Sequence, residues 1–191
     1  KGAPYITFVA RGLEPLRGFH HFMRVLPALQ QHLPDLQAVV IGADETFYGS
    51  APTGAASWRA HFLAEQEGQL DRNRVHFLGS IDYQDYREIL RGSQLHFYLS
   101  APFVTSWSVL EALIMGRRVI TWDLPTLDEF QCSALHRVEP RNLDDLAEKA
   151  LGLLRAPAEV TNLPADICER LEVGHCLQAQ LNLLRELDIE A

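Results

Sequence analysis

The chain has 191 residues, enough for one domain with a buried core and too few for two large domains. Hydrophobic residues make up 47% of the chain and charged residues 22%, the profile of a soluble globular protein. The formal net charge of −8 argues against nucleic acid and anionic membranes as partners, because the chain as a whole repels polyanions. An anionic ligand therefore needs local positive groups.

The N-terminal residues and the cysteines indicate in which cellular compartment the protein is expected. No apolar run approaches the roughly eighteen residues of a membrane-spanning helix, so no transmembrane segment is predicted. The first four residues lead into a strand pattern with no signal-peptide features, and we expect the chain to be part of a longer protein. Cys132, Cys168 and Cys176 are odd in number and form no Cys-x-x-Cys pair, which argues against a metal site or disulfide framework and predicts a cytoplasmic protein.

Short apolar runs alternate with segments of helical spacing. The run 5–10 predicts a first strand, and a loop through residue 18 leads to a predicted helix at 19–32. The remaining predicted elements, in chain order, are a strand at 37–41, a helix from the cap Ser57 to about residue 70, a strand at 74–78, a helix at 82–91, a strand at 94–99, a helix at 107–115, strands at 118–122 and 135–138, a helix from the cap Asn142 to residue 155, and a helical tail at 165–187.

This alternation predicts an α/β fold with a doubly wound parallel sheet of the Rossmann-like type. We expect one domain over residues 1–160, with 161–191 as its helical tail. Ligands of such folds bind outside the carboxyl ends of the strands, so the loops after the strands carry the information on function.

The loop after the first strand contains Arg11 and Arg17, which can converge on one anion across a strand-to-helix turn. The helix that begins near Gly18 adds its positive N-terminal end. The alternative is that both arginines are surface charges paired with carboxylates such as Glu14. The loop lacks the Gly-x-Gly-x-x-Gly pattern, so it does not indicate NAD binding.

The loop after the fourth strand leads into a helix at which Ser106 holds the N-cap position. Free backbone N–H groups there could receive an anion, and Glu111, one turn into the helix, could accept hydrogen bonds from a ribose diol. The alternative role of Glu111 is a favourable interaction with the helix dipole. Trp107 is expected in the core or at an interface.

Together the two loops resemble glycosyltransferase family 4, whose members have the GT-B fold, over nearly the whole chain. The family's Gly-Arg-x-x-x-x-x-Lys-Gly segment is matched by Ala10-Arg11 to Arg17-Gly18, with Arg in place of Lys, and its Phe-x-Gly strand end by Phe77-Leu78-Gly79. Its Leu-Glu-Ala-Met-x-x-Gly helix is matched by residues 110–116, and its next strand and acidic loop by 119–129.

The resemblance implies the C-terminal, donor-binding half of a retaining, hexosyltransferase-like enzyme that uses a nucleoside-diphosphate sugar. Arg11 and Arg17 would hold the diphosphate as leaving group, and no metal or other cofactor is implied. Glu111 would bind the ribose. Backbone groups of two further segments would take part: Gly79, Ser80 and Ile81 around the base, and Ser106, Trp107, Ser108, Val109 and Leu110 at the diphosphate. The acceptor-binding domain precedes this domain in the family, and we expect the present chain alone to bind nucleotide without turnover.

Phe103 departs from the family pattern. The family places a glutamate eight positions before the second glutamate, where it contacts the sugar hydroxyls, and that position is Phe103 here. This departure leaves three alternatives: another residue binds the sugar, the sugar pocket has a different shape, or the enzyme is only weakly active. Two rivals remain from the sequence: a non-catalytic nucleotide-binding module, and a sugar-nucleotide epimerase, which the Arg11, Arg17 and Glu111 pattern disfavours.

Other polar groups indicate less. His20 and His21 are predicted to be exposed surface residues, and the remaining histidines lack metal-ligand spacing. The long loop at 43–56, with Tyr48 and Gly49, is predicted to be a packed surface loop, and the alternative is a mobile flap.

Overall fold

A parallel six-stranded sheet forms the centre of the molecule. The computed structural model describes residues 2–102, 105–157 and 163–186. The strands are β1 (Tyr5–Gly12), β2 (Gln37–Ala43), β3 (Val75–Gly79), β4 (Leu95–Tyr98), β5 (Val119–Trp122) and β6 (Leu135–Val138), in the order β3-β2-β1-β4-β5-β6. Every adjacent pair is parallel. The predicted doubly wound α/β fold is therefore confirmed.

Helices cover both faces of the sheet. They are α1 (Phe19–His32), α2 (Trp58–Glu65), α3 (Tyr83–Gly92), α4 (Trp107–Ile114), α5 (Leu143–Arg155), α6 (Ala165–Leu171) and α7 (Val173–Glu186). Side chains of α1, α2 and α5 bury Phe8 and Phe97 on one face, and side chains of α3, α4 and α6 bury Tyr98 and Val119 on the other. Because apolar side chains on both faces lose water, β4 and β5 are buried at every position, as the apolar runs predicted.

Helix caps set where several helices begin. The Ser57 hydroxyl accepts a hydrogen bond from the Ala60 N–H at 3.2 Å, and the Asn142 side chain accepts one from the Asp145 N–H at 3.1 Å. Both predicted caps are thus confirmed, and each satisfies an N–H group that has no partner within its helix.

Several boundaries differ from the sequence prediction, and β2, for example, continues to Ala43. β1 continues through Gly12, so Arg11 lies at the end of a strand. α2 ends at Glu65, before residue 70, and Gly68 then takes the left-handed conformation (φ 77°), which a continuing helix excludes. The predicted tail helix is two helices, because Glu172 is extended (ψ 136°) between α6 and α7.

Candidate functional site

A cleft of about 500 Å³ opens at the carboxyl edge of the sheet. Successive strands are added towards one edge of the sheet from β1 to β3 and towards the other edge from β4 to β6. Ligands of doubly wound sheets bind where this order reverses, which here is between β1 and β4. The ends of β1 and β2, the residues after β3, and helices α3 and α4 line the cleft. Its predicted site residues are Arg11, Ser80, Ile81, Ser106, Trp107, Ser108 and Glu111.

Arg17 lines a smaller adjoining cavity of about 110 Å³, which also contacts Arg11 and Ser106. Gly79 ends β3 just before the cleft-lining Ser80. The Val109 side chain is fully buried in the core, and its N–H donates to the Ser106 carbonyl at 3.1 Å. Val109 thus supports the start of α4 from within the core. The prediction for Phe103 lies outside the described residues.

The two arginines of the first loop lie against neighbouring rings of the long loop and line one cavity. Hydrogen bonds from Arg11 and Arg17 lower the pKa of the Tyr48 hydroxyl. The Arg17 guanidinium lies 4.7 Å from the centroid of the Tyr48 ring, and the Arg11 guanidinium lies 4.5 Å from that of Phe47. Because both arginines also line the cavity of about 110 Å³ beside Ser106, they are close enough to bind one anion.

Glu14 anchors the segment that meets the arginines. Its side chain is fully buried, and its carboxylate accepts hydrogen bonds from the N–H groups of Phe47, Tyr48 and Gly49 at 3.3, 3.0 and 2.8 Å. These bonds compensate for the burial of the charge. Glu14 thus holds residues 47–49 of the long loop against the first loop.

Glu111 lies one turn into α4 and contacts α3 at the edge of the cleft. Its carboxylate accepts hydrogen bonds from the Tyr83 hydroxyl at 2.7 Å and the Tyr86 hydroxyl at 2.5 Å. Burial and the bond to Glu111 raise the pKa of Tyr86, so this phenol stays a donor. A carboxylate has about four acceptor positions, and two of them remain for hydroxyl groups of a ligand.

The sequence analysis missed Tyr83 and Tyr86. The signal was present, since two aromatic residues three positions apart lie on one side of a predicted helix that follows directly on the loop after β3. In the structure their rings stack with centroids 5.8 Å apart. They form a wall of the cleft that adjoins α4.

The beginning of α4 combines a polar cap with an exposed aromatic ring. The Ser106 hydroxyl accepts from the Ser108 N–H at 3.4 Å, and so forms the expected N-cap. Trp107 is 78% exposed, which excludes the core position that was one of its two expected places. Its indole is available to stack on a flat ligand group at the mouth of the cleft.

His20 and His21 differ from their predicted exposure. Both are half-buried at the start of α1, with ring centroids 3.7 Å apart. Burial, and after it the neighbouring His21 and Arg24, lowers the pKa of His20 to about 4, and burial also lowers the pKa of His21. Both rings are therefore uncharged at neutral pH, and the positive charge near the first loop comes from the arginines.

Residues 2–102, 105–157 and 163–186 contain neither a membrane-spanning helix nor a metal-binding cluster. These ranges hold no helix whose length and apolarity would let it cross a membrane. They also hold no cluster of three or more His, Cys, Asp or Glu side chains that could bind a metal ion.

Comparison with solved structures shows the same fold in several glycosyltransferases. The C-terminal domain of a glycosyl transferase group 1 family protein from Francisella tularensis superposes with a TM-score of 0.66 at 19% identity, over 81% of this chain and 77% of that one. A glycosyltransferase from Rickettsia africae gives a TM-score of 0.76 at 15% identity, over 100% of this chain and 49% of that one.

Sucrose-phosphate synthase from Thermosynechococcus elongatus gives a TM-score of 0.72 at 21% identity, over 97% of this chain and 45% of that one. The chain therefore spans less than half of the Rickettsia and Thermosynechococcus proteins. No curated protein sequence matches it. The sequence model of the family described as glycosyl transferases group 1 matches residues 3–156. This match covers most of the chain, so the chain belongs to the group 1 glycosyltransferase family.

Proposed function

We propose that this chain is the donor-binding domain of a retaining, hexosyltransferase-like enzyme that takes a sugar from a nucleoside-diphosphate sugar. The observation that carries the proposal is that Arg11 and Arg17 line one cavity together with Ser106, at the start of α4. Transfer breaks the bond between the sugar and the phosphate, so negative charge develops on the diphosphate. Two fixed guanidiniums and a helix N-terminus stabilise that charge without a metal ion.

The rest of the cleft fits a nucleoside. Glu111 accepts hydrogen bonds from the ribose hydroxyls while Tyr83 and Tyr86 hold its carboxylate in place. Backbone groups around Ser80 and Ile81 contact the base. A carboxylate that faces a ribose repels phosphate, and so it also sets the direction in which the nucleotide lies.

The acceptor and its binding domain belong to the remainder of the protein. α7 exposes Val173, Leu177 and Leu181 at intervals of four residues, which form one apolar side of the helix. We assign this side to the contact with the acceptor-binding domain, in a cytoplasmic enzyme. The chain alone binds donor without turnover.

The test is calorimetry on the wild-type chain and on Glu111→Gln with uridine, guanosine and adenosine diphosphates and with inorganic pyrophosphate. One of the diphosphates should bind the wild-type chain tightest and so identify the base. Hydrogen bonds to a charged group contribute about 1.5–3 kcal/mol, so Glu111→Gln should weaken that diphosphate about tenfold or more and leave pyrophosphate nearly unchanged. Equal weakening of both ligands would mean that Glu111 maintains α4 and does not contact ribose.

A second candidate is a non-catalytic nucleotide-binding module, and the apolar Phe103 at the family's glutamate position favours it. An aromatic ring cannot accept hydrogen bonds from sugar hydroxyls, so nucleotide contacts should dominate binding. We expect a sugar nucleotide and its bare diphosphate to bind within about tenfold of each other, or 1.4 kcal/mol. Phe103→Glu should favour the sugar nucleotide. A wild-type preference of a hundredfold for one sugar nucleotide would refute the loss of this contact and support the transferase.

A further inference from the structure

A chain of buried polar side chains runs from the interior of the sheet to the cleft. His96 on β4 is fully buried between two neighbours: its Nδ1 lies 3.1 Å from the Thr7 hydroxyl on β1, and its Nε2 lies 3.2 Å from the Ser108 hydroxyl on α4. The Thr7 hydroxyl lies 2.9 Å from the Ser93 hydroxyl, and the Ser108 hydroxyl lies 3.1 Å from that of Ser106. The proposed function gives no role to the inner part of this hydrogen-bond chain.

One end of the chain fixes the direction of its hydrogen bonds. The Ser93 hydroxyl donates to the Leu95 carbonyl oxygen at 3.0 Å, and a carbonyl oxygen can only accept. A hydroxyl has one hydrogen, so the Thr7 hydroxyl must donate to Ser93 and must accept from His96. Nδ1 of His96 therefore carries the proton.

The donors and acceptors between His96 and the cleft follow in the same way. Burial lowers the pKa of His96 to about 4, so the ring is neutral at pH 7 and its Nε2 is an acceptor. The Ser108 hydroxyl donates to that nitrogen, which leaves its oxygen to accept from Ser106. The Ser106 oxygen also accepts from the Ser108 N–H. Each hydroxyl hydrogen of the chain thus points inward, away from the cleft.

We propose that His96 is a positioning residue that, through Ser108, orients the Ser106 hydroxyl so that the Ser106 oxygen offers only lone pairs to the cleft. An acceptor at this place favours a ligand hydroxyl group and disfavours a phosphate oxygen. Ser106 borders both the large cleft and the smaller cavity beside Arg11 and Arg17. The ligand part of this inference rests on the proposed function, in which the arginines bind the diphosphate, and it assigns Ser106 to the sugar or ribose side of that group.

The tautomer of His96 tests the direction independently of any ligand. Long-range proton–nitrogen NMR spectra of the full chain labelled at histidine nitrogen, recorded at pH 7, should show a protonated Nδ1 and an unprotonated Nε2. This is the tautomer that a free histidine side chain populates less, so an unconstrained ring would not give it. His96→Gln identifies the signal among the eight histidines.

Two substitutions separate the chain of hydrogen bonds from general packing. Thr7→Val keeps the shape and the backbone carbonyl of residue 7, which also interacts with His96, but removes the hydroxyl near Nδ1, so the Nδ1 shift should change. Ser108→Ala removes the donor to Nε2 and should change the Nε2 shift while Nδ1 stays protonated. Protonation at Nε2 in the wild-type chain, or a Thr7→Val spectrum identical to the wild type, would overturn the proposal.

Inorganic pyrophosphate probes the cleft end. Ser106→Gly removes the hydroxyl but keeps a residue that suits the N-cap position, so it should bind pyrophosphate about as tightly as the wild-type chain, because no donated bond is lost. A tenfold loss would show that Ser106 donates to phosphate and would overturn the proposal. A wild-type protein that binds neither nucleotide nor pyrophosphate but has Nδ1 of His96 protonated would contradict the proposed function. It would still support the proposed direction of the hydrogen bonds.

Discussion

Replacing both Arg11 and Arg17 by alanine is expected to weaken the binding of a nucleoside diphosphate by about a hundredfold or more. Each charge-assisted hydrogen-bonding pair contributes roughly 1.5–3 kcal/mol, and each 1.4 kcal/mol is a factor of ten in affinity. Each single substitution should therefore cost about tenfold. Both arginines line the same cavity beside Ser106, so their effects on a bound diphosphate should both be large.

Arg155→Ala is the matched control, because it removes the same charge at the opposite edge of the sheet. Arg155 ends α5, and the neighbouring Leu153 carbonyl accepts a hydrogen bond from Arg118, which directly precedes β5. The amino edge of the sheet is thus on that side, away from the cleft. Calorimetry at one fixed salt concentration should show little change in Arg155→Ala. Unchanged affinity in the double variant would refute the diphosphate site.

The sequence predicted the sheet well because strands that are buried on both faces are nearly continuous apolar runs. The four residues of β4 and the four of β5 are buried throughout, and no surface-facing polar residue interrupts their pattern. The end of α2 was missed for a local reason. Residues 66–70 continue a pattern that suits a helix, whereas the left-handed Gly68 ends it, and a single glycine in the sequence does not reveal its φ.

The convergence of the two loops was also predictable, since parallel strands end at one edge. The partners of the carboxylates were not. Glu111 meets Tyr83 and Tyr86 only because α3 and α4 pack side by side, across 28 and 25 residues of sequence. Glu14 is buried because a loop 33–35 residues later folds over it, whereas the sequence offered it as a partner for the arginines. Contacts of this kind depend on tertiary packing, which periodicity does not encode.

Gly18→Ala is expected to destabilise the domain strongly, because Gly18 combines a left-handed backbone with a close approach to β4. Its φ is 79°, and it joins the 3-10 helix Pro15–Arg17 to α1. A Cβ at this position would overlap the backbone carbonyl of Leu99, directly after β4. The turn that holds Arg17 and the strand end beside the cleft are therefore packed together with no room for a side chain.

The expected loss has two parts. The left-handed conformation costs a non-glycine residue roughly 1–2 kcal/mol, and overpacking adds about 1–3 kcal/mol. At about 2–4 °C per kcal/mol for a domain of this size, the unfolding midpoint should fall by roughly 5–15 °C. Gly68→Ala is the control, because Gly68 has nearly the same φ of 77° but no atom within 4 Å of an added Cβ. It should show the conformational part alone, about 1–2 kcal/mol or roughly 2–8 °C.

The same pair of variants connects the packing of this turn with ligand binding. To accept a Cβ at Gly18, the turn must move away from Leu99. This movement would also displace Arg17, which directly precedes Gly18. Gly18→Ala should therefore weaken nucleoside diphosphate binding by about tenfold at a temperature where it is still folded, the loss expected from one arginine. Gly68→Ala should bind as the wild-type chain does, because Gly68 lies in the turn after α2. Equal midpoints for the two variants would mean that the turn yields at no cost, and wild-type affinity in Gly18→Ala would mean that Arg17 does not depend on this packing to reach the anion.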